Sequence, residues 1–220
     1  MTRDLPNEPL AAAGEHGALS ASGHPPKPAM WCAPRLSLAS AAWGTAALCA
    51  AAASMVAAPG WQGVLGAGLA LAMIAIAAVD AREFIIPDKL VLAGVLLGLT
   101  DAALTNPPQP VAAVVLAALR AFVLALVFFL FRAAYRRWRG RQGIGLGDVK
   151  LAAVGGAWLA WGAAALAIDF AALSALAAVL IGMLRGRSFT ATTRVPFGLF
   201  FAPAIWIAWL IVEITTSRSG

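Results

Sequence analysis

The chain has 220 residues, of which 61% are hydrophobic, with a mean hydropathy of +0.84 and a formal charge of +6. A soluble domain is roughly 45–50% apolar, and here the excess lies in long runs that need lipid as their solvent. An ordinary soluble fold is therefore excluded, and the positive-inside rule explains the basic charge without a nucleic-acid partner. We predict an all-α, polytopic transmembrane helical bundle of about seven spans.

Residues 1–36 are rich in Pro, Gly, Ala and charged side chains, which predicts a disordered N-terminal tail. This tail does not have the pattern of a cleavable signal peptide, because its apolar run begins too late and acidic residues precede it. Both histidines lie in the tail, and neither Cys32 nor Cys49 belongs to a CxxC pair. We therefore predict no metal site, no disulfide framework and no cofactor.

Seven apolar segments follow the tail, separated by turns or polar loops. We place them at about residues 38–58, 61–79, 90–104, 111–131, 149–165, 166–184 and 195–212. The fifth and sixth form one continuous stretch that is too long for a single span of about 20 residues, so we divide it near Gly162. The predicted domains are the tail (1–36), a membrane-embedded domain (37–214) and a C-terminal tail (215–220).

The distribution of Lys and Arg sets the orientation of the predicted spans. If the N-terminal tail is cytoplasmic, every Lys and Arg except Arg120 and Arg218 falls on the cytoplasmic side, as the positive-inside rule requires. An odd number of spans then places the C-terminus outside. In this topology Asp80 closes the second span and Asp148 opens the fifth, both at the cytoplasmic ends of helices.

Two aspartates at similar depth in a low-dielectric site can act as an acid–base pair, because both do not ionise readily and they share one proton. One carboxylate can deprotonate water while the other protonates a carbonyl oxygen and then a leaving nitrogen. The competing interpretation is that each aspartate only caps a helix. Capping suits Asp148 at a helix N-terminus, whereas the macrodipole is unfavourable for Asp80 at a helix C-terminus. The residues alone leave both interpretations open.

Four segments in order resemble the type IV prepilin peptidases, a family of GxGD-type intramembrane aspartyl proteases. Gly145-Leu146-Gly147-Asp148 matches GxGD and continues as Val149-Lys150, as is usual in that family. Residues 80–88 (Asp-Ala-Arg-Glu-Phe-Ile-Ile-Pro-Asp) resemble the first-aspartate motif, in which Asp precedes Ile/Leu-Pro-Asp/Asn. Residues 158–161 (Trp-Leu-Ala-Trp) and 195–198 (Val-Pro-Phe-Gly) resemble two further family segments. The similarity covers about residues 38–212.

The resemblance implies that Asp80 and Asp148 are the catalytic pair. The supporting residues implied by the same motifs are Gly145, Gly147, Lys150, Pro87 and Asp88. The implied enzyme is an aspartic endopeptidase of the bacterial inner membrane, with a cytoplasmic N-terminus and with membrane lipid as a partner. It would remove the short basic leader of a type IV prepilin or pseudopilin at the cytoplasmic face, after a glycine and just before the substrate's hydrophobic helix. Such substrates belong to type IV pilus or type II secretion systems.

One departure from the larger family members concerns a second activity. Those members carry an N-terminal cytoplasmic domain with paired CxxC motifs and also N-methylate the new terminus, and this sequence has neither feature. We therefore expect cleavage without methyltransferase activity. A second departure is Arg82, where some members carry another acidic residue, and this leaves Asp80 as the better candidate in its segment.

Other charged residues near the motifs are interpreted as structural. We expect Glu83 to be solvated and Asp88 to cap the third helix. Lys150 is expected to act electrostatically on Asp148 or to meet lipid phosphate. Further along the chain, Asp101 and Arg120 could pair near the outer side, and the basic run 136–139 is expected to bind anionic lipid and fix the topology.

Two other functions are compatible with carboxylates in a membrane domain. A proton-coupled transporter would carry its acidic residues near the middle of the membrane, on broken helices. An inactive assembly partner of a pilus or secretion system would need neither aspartate. The position of Asp80 and Asp148 at helix ends on one face favours the protease.

Overall fold

The computed structural model describes residues 36–140, 145–186 and 196–219. Over these ranges the chain forms seven α-helices and no β-strand, which confirms the predicted all-α class. The helices are α1 (Leu36–Ala57), α2 (Trp61–Glu83), α3 (Asp88–Thr105), α4 (Pro110–Arg139), α5 (Leu146–Trp158), α6 (Trp161–Leu184) and α7 (Gly198–Ser219). Except for Leu36, the predicted N-terminal tail lies outside the described residues, as does Val195 of the fourth family-like segment.

Four of the helices, α2, α4, α6 and α7, are long and apolar enough to cross a membrane. Many large hydrophobic side chains on α4 and α6 are exposed, as expected for helices whose outer faces contact lipid. Helix α5 differs from these, because it has only 13 residues and most of its second half is buried. The aspartate at its start is therefore carried by an inner helix that neighbouring helices must hold in place.

Small residues let α5 pack closely against α3 and α4. Gly156 of α5 lies so near α4 that an added Cβ would come within 2.6 Å of the Cα atom of Ala121. Gly98 of α3 leaves room for the indole of Trp158, whose Nε1–H donates a 2.8 Å hydrogen bond to the Gly94 carbonyl. Close contacts through small residues are typical of helix packing in membranes, and here they fix the position of the short helix.

Helix α7 is held by two tryptophans that contact different helices. The Trp206 Nε1–H donates a 2.9 Å hydrogen bond to the Ser54 hydroxyl of α1. The ring of Trp209 lies directly over Gly66 of α2, where no Cβ could fit. These contacts fix α7 relative to α1 and α2, and its first turn lies beside Asp80.

The division between the fifth and sixth helices differs from our prediction. Helix α5 ends at Trp158 and α6 begins at Trp161, so the break lies at residues 159–160, two residues before Gly162 and several residues before the predicted boundary between residues 165 and 166. Both residues of the break have extended backbone angles, and Leu159 is buried. The anchored indole of Trp158 and the buried Leu159 side chain explain this break, so tertiary packing rather than a glycine ends the helix.

The outer helix ends also differ from the predicted boundaries. Helix α4 continues beyond residue 131 to Arg139, so that much of the basic stretch is helical. Helix α7 continues through Ser219 and includes most of the predicted C-terminal tail. Charged residues at helix ends thus extend the helices past the apolar segments from which their lengths were predicted.

The suggested ion pair between Asp101 and Arg120 is absent, so that prediction is wrong. The Arg120 Nε–H donates a 3.4 Å hydrogen bond to the carbonyl of Gly156 instead. The Oδ1 atom of Asp101 is buried and has no hydrogen-bond partner. Because α4 and α5 approach so closely at Gly156, a main-chain carbonyl of α5 comes within reach of the guanidinium.

Candidate active site

Asp80 lies in the last turn of α2, and the residue is only 6% exposed. The helix ends just beyond it because Phe84 adopts a left-handed conformation, with a φ of 54°. The Asp80 Oδ2 atom accepts a 2.9 Å hydrogen bond from the N–H of Leu199, and the N–H of Gly198 is directed at the same carboxyl group. The N-terminus of α7 therefore supplies the favourable dipole that the C-terminal end of α2 does not.

Asp148 lies in the first turn of α5 and is half-buried. Its Oδ2 atom accepts a 3.1 Å hydrogen bond from the N–H of Gly145. This contact satisfies one of the backbone donors that the start of a helix leaves unpaired. Asp148 thus caps its helix, as the simpler interpretation expected. Because one carboxyl oxygen makes this contact, capping does not exclude a role for the other oxygen in acid–base chemistry.

The fold brings these two aspartates, from α2 and α5, to the same end of the bundle. The Ile86 side chain lies between them, against Gly147 next to Asp148 and against Gly198, which also lies against the Asp80 carboxyl group. Two interacting carboxyl groups in a largely buried site can share one proton. The arrangement is therefore chemically suited to general acid–base catalysis.

Lys150 and Asp88 link the two aspartate motifs. The Lys150 Nζ atom lies 2.5 Å from the Asp88 Oδ1 atom, and the two side chains are 47% and 74% exposed. Asp88 is the first residue of α3, and its side chain makes no capping hydrogen bond, so our capping prediction for Asp88 is wrong. The side chain instead meets an ammonium group from the other motif. An exposed pair of this kind adds only about 0–1 kcal/mol to stability.

The remaining residues of the two motifs shape the backbone around the aspartates. Pro87 precedes α3, and its carbonyl accepts a 3.2 Å hydrogen bond from the N–H of Val91. Gly145 is exposed, and its N–H donates the hydrogen bond that the Asp148 Oδ2 atom accepts. Gly147 has no space for a side chain. Glu83 ends α2 and is exposed, as its position in the motif predicted.

A cavity of about 230 Å³ opens beside the start of α5. It is lined by Phe129, Arg132, Ala133, Arg136 and Leu146. Two guanidinium groups one helical turn apart, next to apolar side chains, suit an anionic group attached to a hydrocarbon chain.

Within the described residues, no cluster of three or more His, Cys, Asp or Glu side chains could hold a metal ion.

Our sequence reasoning missed the backbone that holds Asp80. The Leu199 N–H is far from Asp80 along the chain, and only the packing of α7 brings it near. The segment Pro196-Phe197-Gly198 was noticed as family-like, but nothing in its composition indicated that its glycine starts a helix facing a carboxylate. The buried Ile86, which contacts both halves of the site, was also missed.

Comparison with known proteins identifies the family to which this sequence is related. Residues 67–184, more than half of the chain, match the sequence profile of the type IV leader peptidase family. A prepilin leader peptidase/N-methyltransferase of Aeromonas hydrophila is 30% identical over 168 residues, which cover 74% of this chain and 55% of the relative. The protein of the same name from Pseudomonas aeruginosa is 35% identical over 152 residues, or 68% of this chain and 50% of that one.

The match does not extend over the full length of these relatives. The chain spans about half the length of the curated proteins that it matches. No solved structure gives a significant match. The matched region includes both aspartates and α2 to α6 nearly completely. Because this match covers more than half of the sequence, the chain belongs to the type IV leader peptidase family.

Proposed function

We propose that this chain is a membrane aspartyl endopeptidase that removes the leader of type IV prepilins or pseudopilins at the cytoplasmic membrane face. The observation that supports this most directly is the convergence of Asp80 and Asp148, each held by a backbone N–H at one end of the bundle. The substrate class follows from the relatives, which are named prepilin leader peptidases. The implied substrate has a basic leader followed by a hydrophobic helix.

In the proposed reaction a water molecule lies between the two carboxyl groups, which together carry one proton. The ionised carboxylate takes a proton from water, the water oxygen attacks the scissile carbonyl carbon, and the other carboxyl group protonates the carbonyl oxygen. The C–N bond then breaks as the first carboxyl group passes its proton to the leaving nitrogen. The second regains a proton from the hydroxyl of the intermediate, so the pair returns to its starting state.

The positions of both aspartates also favour a protease over a transporter. A carrier would place its ionisable groups near the middle of the membrane on interrupted helices. Asp80 instead lies in the last turn of α2, and Asp148 in the first turn of α5. A site at this depth is suited to a peptide bond at the border between a polar leader and a membrane-embedded helix.

We further propose that the cavity lined by Arg132 and Arg136 takes the phosphate of an anionic lipid of the bacterial inner membrane. A basic leader would be repelled by the two guanidinium groups, whereas a lipid phosphate would be attracted. The apolar side chains of Phe129 and Leu146 in the same cavity suit the attached acyl chain. The lipid would then lie beside the start of α5.

The test of this function uses the purified chain in detergent with a synthetic prepilin that carries a basic leader, a glycine and a hydrophobic helix. We expect a single cut after that glycine, and mass spectrometry identifies both products. A matched substrate in which a bulkier residue replaces the glycine should resist cleavage. An intact prepilin after incubation with folded protein would contradict the proposal.

The same products test our expectation that this 220-residue chain does not methylate. The new N-terminus should carry an unmodified α-amino group whether or not S-adenosylmethionine is present, because the sequence has no paired CxxC motifs. A gain of one methyl group with purified components alone would overturn this expectation. Cleavage itself should not depend on the cofactor.

The orientation of the bundle is tested with fused reporters. A reporter placed after Arg139 should read cytoplasmic, and reporters after Pro108 or Gly220 should read periplasmic, because the Lys and Arg distribution favours this orientation. A cytoplasmic signal from the Gly220 fusion would contradict the proposed number of membrane crossings.

We also propose that residues 1–36 form a cytoplasmic tail, so deletion of residues 1–28 should leave cleavage unchanged.

A further inference from the structure

Ile86 lies in the connection between α2 and α3 and differs from the apolar residues before it. Phe84 and Ile85 are 45% and 59% exposed, whereas Ile86 is only 7% exposed. Its buried side chain belongs to the central hydrophobic cluster. The first-aspartate motif therefore sends one side chain inward between Asp80 and the start of α3.

The Ile86 side chain contacts both segments that control the aspartates. A Cβ added to Gly147, next to Asp148, would lie 2.9 Å from the Ile86 Cδ1 atom and 3.0 Å from its Cβ atom. A Cβ added to Gly198, at the start of α7, would lie 3.0 Å from the same Cδ1 atom and 2.8 Å from the Asp80 Oδ2 atom. Cβ atoms in real structures are rarely this close to a neighbouring atom. The backbone of each glycine therefore packs so tightly against its neighbours that a side chain would clash.

The two glycines provide space rather than an unusual backbone angle. Among the described glycines only Gly60, Gly140 and Gly186 have positive φ values. Gly147 and Gly198 therefore adopt angles open to any residue. An alanine at either position would strain the contact with Ile86, but it would not strain the local backbone.

We propose that Ile86 is a positioning residue that sets the separation between Asp80 and Asp148. It lies between the first turn of α5, which carries Asp148, and the first turn of α7, whose N–H groups hold Asp80. This inference rests on the proposed peptidase function. Because protein interiors are close-packed, a change of even one methyl group at this contact displaces a neighbour. A displacement of about 1 Å can lower a catalytic rate by about a hundredfold.

The activity test compares Gly147→Ala, Ile86→Ala and the double variant, with Gly162→Ala as the control. A methyl group at Gly162 meets nothing within 4 Å, so that variant should cleave at the wild-type rate. We expect each single variant at the contact to lower kcat by about ten- to a hundredfold with little change in KM. The double variant should recover part of the loss, because alanine at position 86 removes the Cγ1 and Cδ1 atoms that crowd the added methyl group and keeps only the Cβ atom, 3.0 Å away.

A purely structural role for Ile86 would give a different pattern. In that case the variants would lower the unfolding temperature, and kcat measured on the remaining folded protein would be unchanged. Additive losses in the double variant would also overturn the inference. Recovery of kcat in the double variant is expected only if the two side chains compete for the same space.

A second readout does not depend on cleavage. Cysteines replace Asp80 and Asp148 in a chain carrying Cys32→Ser and Cys49→Ser, and thiol crosslinkers of graded length report the separation of the two positions. We expect Gly147→Ala and Ile86→Ala each to change the preferred crosslinker length, and the double variant to restore it. If crosslinking responds in this way but the wild-type chain never cleaves a prepilin, the positioning role of Ile86 is supported and the proposed function is wrong. If the wild-type chain cleaves but crosslinking does not respond, the positioning role of Ile86 is wrong.

Discussion

Replacing either Asp80 or Asp148 by asparagine is expected to lower the rate of leader cleavage by roughly a thousandfold or more. Asparagine has nearly the same shape as aspartate, so the hydrogen bonds from Leu199 and Gly145 can be accepted by its carbonyl oxygen. It cannot take a proton from water or share one with the other carboxyl group. The measurement is single-turnover cleavage of a synthetic prepilin by purified protein, with helix content checked by circular dichroism.

The matched control for these substitutions is Glu83→Gln. Glu83 belongs to the same motif as Asp80 and ends the same helix, but it is exposed to solvent. We expect this variant to cleave at close to the wild-type rate. Near-normal turnover by Asp80→Asn together with loss of turnover in Glu83→Gln would mean that the first catalytic carboxylate has been assigned to the wrong residue.

Gly156→Ala is expected to destabilise the contact between α4 and α5 strongly. The added Cβ would lie 2.5 Å from the Arg120 carbonyl oxygen and 2.6 Å from the Ala121 Cα atom. Both are backbone atoms, which cannot move aside as a flexible side chain can. We expect a loss of about 3 kcal/mol, at the upper end of the usual range for overpacking, measured by thermal unfolding in detergent.

The neighbouring glycine provides a control on the same helix. A Cβ added to Gly155 would approach Ile205 and Leu124 no closer than 3.5 Å. That distance is an ordinary van der Waals contact, so Gly155→Ala should change the unfolding temperature little. Because alanine has a higher helix propensity than glycine, a loss at Gly156 can come only from its surroundings, and equal effects from the two substitutions would mean that the close approach of α4 does not determine the cost at Gly156.

The helices and their approximate order could be predicted because long apolar runs allow few structures in lipid. The shared position of Asp80 and Asp148 at one end of the bundle could be predicted from the Lys and Arg distribution. The exact position of the break, at residues 159–160, could not be predicted, because no Pro or Gly occurs there and Gly162 indicated the break only to within two residues. Packing of Trp158 against Gly98 is a tertiary contact that local composition does not reveal.

The partners of the charged residues were the least predictable part of the site. Local reasoning assigned Asp88 to a helix cap, but it pairs with Lys150, which is distant in the sequence. The same limitation applies to Asp80, whose unfavourable position at a helix C-terminus is offset by the start of α7. Each of these contacts joins residues that only the packed bundle brings together.

The most direct test of the catalytic pair is a comparison of Asp80→Asn, Asp148→Asn and the double variant under single-turnover conditions with enzyme in excess. If the two carboxyl groups share one proton and act as a unit, removing both should cost no more than removing one. We therefore predict that the double variant is as slow as the slower single variant. Losses that multiply in the double variant, or a single variant that cleaves at nearly the wild-type rate, would contradict a shared catalytic role for Asp80 and Asp148.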